Sequence, residues 1–127
     1  MDNKIVVIDD EKNLCILIKN ILESGAKAQV FMAHDGTVGK QLCLEILPHL
    51  IFLDFIMPKE RGDKVLEFLR NTTETKKIPV VLMSGLVEAK PDNFEDGIFY
   101  MPKPFTKQKL LEVTEKIIGQ DLGMRKI

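Results

Sequence analysis

The stretch Leu50-Ile51-Phe52-Leu53-Asp54-Phe55-Ile56-Met57-Pro58 constrains this chain more than any other. Four consecutive apolar residues without alternation describe a strand covered on both faces, the habit of a parallel sheet packed between helices. The strand ends on a carboxylate. Met57-Pro58 then forces a turn, because proline has no N–H for a sheet ladder and restricts the residue before it. On this segment alone Asp54 has two readings. It caps the turn, as aspartate commonly does, or it is a nucleophile or metal ligand at the rim where open α/β sheets carry their sites. The decision rests on whether other polar groups converge on that rim.

Lys4-Ile5-Val6-Val7-Ile8 is a second continuous run and stops at Asp9-Asp10-Glu11. Leu14, Leu17, Ile18, Ile21 and Leu22 follow at helical spacing, ending near Ser24-Gly25. Gln29–Ala33 reads as a strand. Asp35-Gly36 opens a helix carrying Val38, Leu42 and Ile46, stopped by Pro48. Beyond Asp54, Val65, Leu66, Phe68 and Leu69 mark a helix that frays in Asn71-Thr72-Thr73. Pro79–Met83 is a strand closed by Ser84-Gly85, and Ile98–Met101 is a short fifth one. Lys103-Pro104-Phe105 introduces a last helix with Leu110, Leu111, Thr114, Ile117 and Ile118 facing inward. Gly119–Ile127 shows no clear period and is expected to be loose at its end.

Five strands alternating with helices predict a doubly wound parallel sheet joined by right-handed crossovers. The three most apolar strands belong at the centre, which suggests the flavodoxin-like order 2-1-3-4-5 with its switch point between strands one and three. There are no repeats or linkers, so residues 1–127 form one domain, with 119–127 as a C-terminal tail.

That topology brings Asp9, Asp10 and Asp54 into one crevice. Asp9-Asp10-Glu11 also suits a helix N-terminus, but three clustered carboxylates repel one another unless a cation is present. Hard divalent ions take oxygen ligands, and Mg²⁺ combines one or two carboxylates with waters and phosphate oxygens. Ser84 supplies a hydroxyl at the end of strand four, Gly85 leaves room for a ligand, and Lys103 supplies a cation at the end of strand five. The combination describes a pocket for a divalent ion and a phosphoryl group carried on a carboxylate.

Composition removes other classes. With 18 basic and 19 acidic residues the formal charge is −1, so net charge gives no sign of nucleic-acid binding. No apolar run approaches the ~20 residues of a membrane span, and Met1-Asp2-Asn3-Lys4 leads into a strand without a signal-peptide pattern. Cys15 and Cys43 have no metal-like spacing and read as small buried residues of a protein in the reducing cytoplasm.

The ordered set resembles the response-regulator receiver domains of two-component signalling, in the manner of the chemotaxis regulators. The matching residues are Asp9-Asp10, Asp54 with Met57-Pro58 and Gly62, Ser84-Gly85, and Lys103-Pro104-Phe105. The resemblance implies that Asp54 takes a phosphoryl group from a phosphohistidine of a sensor histidine kinase or phosphotransfer protein. It implies Mg²⁺, with Mn²⁺ as a substitute, on Asp10 directly, on Asp9 mainly through water, on Asp54, and on the backbone carbonyl of Ile56. Lys103 would pair with Asp54 or the phosphoryl oxygens. Ser84 and Tyr100 would form the switch, and Lys103-Pro104 matches the family's cis peptide. His34 and His49 lie outside these motifs, so the donor histidine belongs to a partner. The output partner is unnamed, and a phosphorylation-dependent homodimer is compatible with the pattern. The chain reads as a stand-alone receiver or a piece of a longer protein.

Three departures from the family pattern stand out. Arg61 occupies a position usually acidic, making Lys59-Glu60-Arg61 more basic than expected. Ile56 and Leu86 are apolar where polar residues are frequent, and both are expected to slow hydrolysis of the aspartyl-phosphate. Pro91 falls inside the expected fourth helix, between strands four and five, which should therefore be short or irregular. Three rivals fit less well. A receiver-shaped binding module independent of phosphorylation would not need the intact set Asp9, Asp10, Asp54, Ser84 and Lys103. A haloacid-dehalogenase-like phosphatase needs an acid where Ile56 stands, and a flavodoxin relative needs a hydroxyl-rich phosphate loop after strand one.

Overall fold

The computed structural model describes residues 3–85 and 97–126, with side chains described through Gly119. Its elements run β1 (Asn3–Ile8), α1 (Lys12–Gly25), β2 (Ala28–Ala33), α2 (Gly36–Ile46), β3 (Leu50–Asp54), α3 (Gly62–Arg70), β4 (Val80–Ser84), β5 (Ile98–Pro102) and α4 (Lys107–Lys126). The five strands form one parallel sheet in the order β2-β1-β3-β4-β5. This is the flavodoxin-like order expected from the apolar runs.

Side chains alternate through the sheet into two cores. Ile5, Val7, Leu50, Phe52, Val81, Met83, Phe99 and Met101 pack with Cys15, Ile18 and Leu22 of α1 and Leu110, Val113, Ile117 and Ile118 of α4. Val6, Ile8, Ile51, Leu53, Val80 and Leu82 pack on the other side with Cys43 of α2 and Val65 and Leu69 of α3. Each fully buried Val, Leu, Ile or Phe contributes on the order of 1.5–3 kcal/mol. Since both faces are apolar, hydrophobicity alone does not fix strand register. The polar strand ends do, because a slip would draw a carboxylate inside.

Helix starts follow local chemistry. Asp35 caps α2, its Oδ1 accepting from the Val38 amide at 2.8 Å. Gly62 opens α3 at a point where a Cβ would stand 2.3 Å from the Asp54 carbonyl oxygen and 2.7 Å from Phe55 Cα. Only glycine lets that helix start lie against the end of β3.

Two expectations from the sequence, both about helix faces, need correction. In α1 the inward stripe runs through Cys15, Ile18 and Leu22, whereas Leu17 is 53% exposed. In α2 Val38 is exposed and the buried face is Gly36, Gly39 and Cys43. The reason is steric: Ile8 fills the space beside Gly39, where a Cβ would come within 2.7 Å of its Cδ1. The tail is helical as far as Lys126. A helix needs no apolar period, only residues that tolerate the conformation, and the stretch after Gly119 contains no proline. The short or irregular helix expected around Pro91 lies outside the described residues, as does Leu86.

Candidate functional site

The C-terminal ends of β1 and β3 meet at the switch point and deliver the acid cluster. Asp9 follows β1, Asp54 ends β3, and Asp10 stands beside them on the exposed side. One carboxylate oxygen from each of Asp9, Asp10 and Asp54 lies within 4.8 Å of the others. Asp9 and Asp54 are buried. An all-oxygen set of this kind suits a hard divalent ion such as Mg²⁺.

Lys103 follows β5 and reaches across the sheet rim. Its Nζ lies 2.8 Å from Asp9 Oδ2, 3.5 Å from Asp54 Oδ1 and 3.5 Å from Glu11 Oε1. The shortest of these contacts goes to Asp9, where the sequence pointed to Asp54. Burial works against the ammonium, but the carboxylates of Asp9, Asp54 and Glu11 outweigh it and raise the Lys103 pKa. Burial pushes the Asp54 carboxyl up to about 7, and the charge of Asp9 adds to the rise. Lys103 and the Ile56 amide, which donates to Asp54 Oδ1 at 3.3 Å, pull it back only partly. The pocket thus holds more negative charge than its lysine neutralises.

The loop after Asp54 is tied at both ends. The Phe55 amide donates to Met83 O at 2.8 Å, and its carbonyl accepts from the Gly62 amide at 2.8 Å. Between them Met57 is buried and Ile56 is 48% exposed. Glu60 pairs with Lys40 of α2 at 2.9 Å, and Lys40 also lies over the Phe68 ring. Arg61 lies 5.1 Å from the centre of the Phe55 ring and 3.4 Å from Asp63. The basic character of this loop is therefore partly spent on local contacts.

Ser84 is buried at the end of β4, and its carbonyl accepts from the Lys103 amide. Among the described residues, a Cβ on Gly85 would meet nothing within 4 Å. Tyr100 is half-buried beside the second core cluster, next to Leu82 in the sheet register. The Lys103-Pro104 peptide is cis. Both cysteines are free and buried, and burial pushes their thiols up to about 12.

Several residues at the site left no mark in the sequence. His34 Nδ1 and Cys15 Sγ both contact the Asp9 carbonyl oxygen, at 3.2 and 3.3 Å. A backbone acceptor has no residue code, so neither contact is readable beforehand. Lys40 and Glu60, twenty residues apart, are likewise unremarkable until the chain folds.

Comparison with known proteins agrees with this geometry. Residues 5–115 match the family described as the response regulator receiver domain. The transcriptional regulatory protein CpxR of Escherichia coli is 36% identical over 112 residues, 86% of this chain and 46% of that protein. The DNA-binding dual master transcriptional regulator RpaA of Synechocystis is 34% identical over 85% of this chain and 46% of its own length. The chain thus spans about half the length of these relatives. Protein PilG of Pseudomonas aeruginosa is 29% identical, with 85% of this chain and 82% of that one covered. The receiver domain of a Francisella response regulator superposes with a TM-score of 0.80 at 25% identity, over 94% of this chain and 99% of that one. Among the described residues, no helix is long and apolar enough to cross a membrane.

Proposed function

Since the chain belongs to the response regulator receiver domain family of two-component signalling, we propose that Asp54 is its phosphoacceptor and that Asp9, Asp10 and Asp54 hold Mg²⁺. The observation that carries this reading is the convergence of three carboxylates and one ammonium at the β1–β3 switch point.

A carboxylate oxygen of Asp54 attacks the phosphorus of a phosphohistidine on a sensor kinase or phosphotransfer protein. The new O–P bond forms as the P–N bond breaks, and the imidazole leaves with the bonding pair. Mg²⁺, when bound, offsets the charge of the carboxylates and of the phosphoryl oxygens. Asp10, Asp54 and the Ile56 carbonyl would be its direct protein ligands, with Asp9 contributing mainly through water. Lys103 stabilises the phosphoryl oxygens with its ammonium. The Ser84 hydroxyl bonds the phosphoryl group, and Tyr100 follows it inward, altering the surface offered to an output partner or to a second copy of the chain. Water later attacks the phosphorus, breaking the O–P bond and returning the Asp54 carboxylate and inorganic phosphate. Ile56 flanks that approach and slows it; Leu86, to which the resemblance gives the same role, lies outside the described residues. The cytoplasm, where kinase and phosphodonor meet, is the compartment this chemistry requires.

The test is incubation with acetyl phosphate and Mg²⁺ followed by intact-mass measurement. One phosphoryl adduct is expected, lost in Asp54→Ala and in excess chelator. An adduct that survives either treatment would reject the assignment.

A further inference from the structure

Asp9 is held at all of its polar atoms. Its amide donates to Ala33 O at 3.0 Å, Oδ1 accepts from the Glu11 amide at 2.9 Å, and Oδ2 takes the Lys103 ammonium at 2.8 Å. Its carbonyl oxygen has two neighbours of its own, Cys15 Sγ at 3.3 Å from α1 and His34 Nδ1 at 3.2 Å from the residue after β2. A carbonyl has two lone pairs, so these two groups fill it. A carbonyl can only accept, so Nδ1 carries the proton in this contact.

The Asp9 carbonyl and the Asp10 amide share one planar peptide. Whatever fixes that oxygen fixes the plane from which the Asp10 side chain departs. Asp10 needs such help because it is the exposed member of the cluster, without the enclosure that surrounds Asp9 and Asp54. His34 and Asp10 also line the same cavity of about 150 Å³, with Gly36, Met57 and Pro58. His34 itself is not among the groups whose ligand atoms converge.

We propose that Cys15 and His34 are positioning residues for the cation site, clamping the Asp9 carbonyl so that the Asp10 carboxylate is held in register with Asp9 and Asp54. The inference rests on the Mg²⁺ reading above. It also makes a demand that fold maintenance does not. Mg²⁺ requires near-ideal octahedral geometry, whereas Ca²⁺ accepts six to eight ligands flexibly. A loosened Asp10 therefore costs Mg²⁺ affinity more than Ca²⁺ affinity.

The experiment is calorimetric titration of the whole chain with Mg²⁺ and, separately, Ca²⁺, with circular dichroism confirming that each variant is folded. His34→Leu and Cys15→Ala each remove one donor and should weaken Mg²⁺ binding ~3- to 10-fold, the scale of one hydrogen bond, with a smaller change for Ca²⁺. His34→Asn and Cys15→Ser keep a donor and should recover most of the Mg²⁺ affinity. An unchanged Mg²⁺-to-Ca²⁺ preference in folded His34→Leu and Cys15→Ala overturns the clamp. Should His34→Leu fail to fold, Cys15→Ala decides by the same ratio. Asp10→Ala separates the two levels of the argument. If it binds Mg²⁺ as the parent does, or if the parent binds none, the cation site itself is wrong and the clamp falls with it. If Asp10→Ala loses binding while both donor variants keep the parent's preference, the clamp alone is wrong.

Discussion

The Lys103 ammonium lies 2.8 Å from Asp9 and 3.5 Å from Asp54, so the lysine of this site is anchored first on the acid that follows β1. The pair is enclosed, with 17% of the lysine side chain exposed and none of the aspartate. Removing one partner of a buried ion pair leaves the other uncompensated. Lys103→Met should lower stability in metal-free buffer by about 3 kcal/mol. Mg²⁺ should restore part of the loss, because a cation bound only to the folded state stabilises it by mass action. Urea denaturation with and without Mg²⁺ measures both effects, and equal stability of parent and variant would contradict them.

Asp54 has the opposite character in the metal-free protein. Its carboxyl is raised to about 7 by burial and by Asp9, so the folded state holds a proton that the unfolded chain has released. Between the ordinary carboxylate range and pH 7, metal-free stability should therefore fall as pH rises. Asp54→Asn keeps the shape without the charge. It should be more stable than the parent by roughly 2 kcal/mol at pH 8, and the gap should close toward pH 4. Denaturation midpoints at both pH values check this. A variant less stable than the parent at pH 8 would make Asp54 a structural hydrogen-bonding residue instead.

Gly62→Ala should be damaging for a different reason. The added methyl would point into the Asp54 carbonyl and Phe55 Cα, which are backbone atoms that cannot rotate away. Overpacking of this kind costs about 1–3 kcal/mol, and more where the obstacle is rigid. The variant should melt lower and accept phosphate from acetyl phosphate more slowly. Normal melting with normal labelling would show that α3 shifts freely against β3.

Ile56→Asn should shorten the life of the phosphorylated form. Ile56 is 48% exposed and two residues from Asp54, and on the function proposed above its side chain would cover the approach of water without offering it a hydrogen bond. A polar replacement that positions the water should speed hydrolysis on the order of tenfold, equivalent to ~1.4 kcal/mol of barrier. The decay of phosphoprotein in Mg²⁺ is the measurement. An unchanged or slower rate would take Ile56 out of the mechanism.

The sheet was legible because continuous apolar runs such as Leu50–Leu53 and Val80–Met83 have few other uses in a chain of this size. Asp9, Asp10, Asp54, Ser84 and Lys103 were legible because each follows or ends a strand, so topology alone collected them. Helix faces were less readable. Leu17 and Val38 look inward by type, yet Cys15 and Gly39 face the cores, and at Gly39 the reason is Ile8, whose side chain leaves no room for a Cβ. Contacts to backbone oxygen, such as those of His34 and Cys15 with Asp9, depend on which carbonyl comes near. That is a property of the folded chain.

At the far end of α3, Arg70 donates to Ile78 O at 2.9 Å and to Gly97 O at 3.1 Å, while the Val80 amide also meets Gly97 O at 2.8 Å. Gly97, with φ of 74°, is thereby fixed as the point where the chain rejoins the sheet. The register that carries Tyr100 and Lys103 to their places is set from that residue onward.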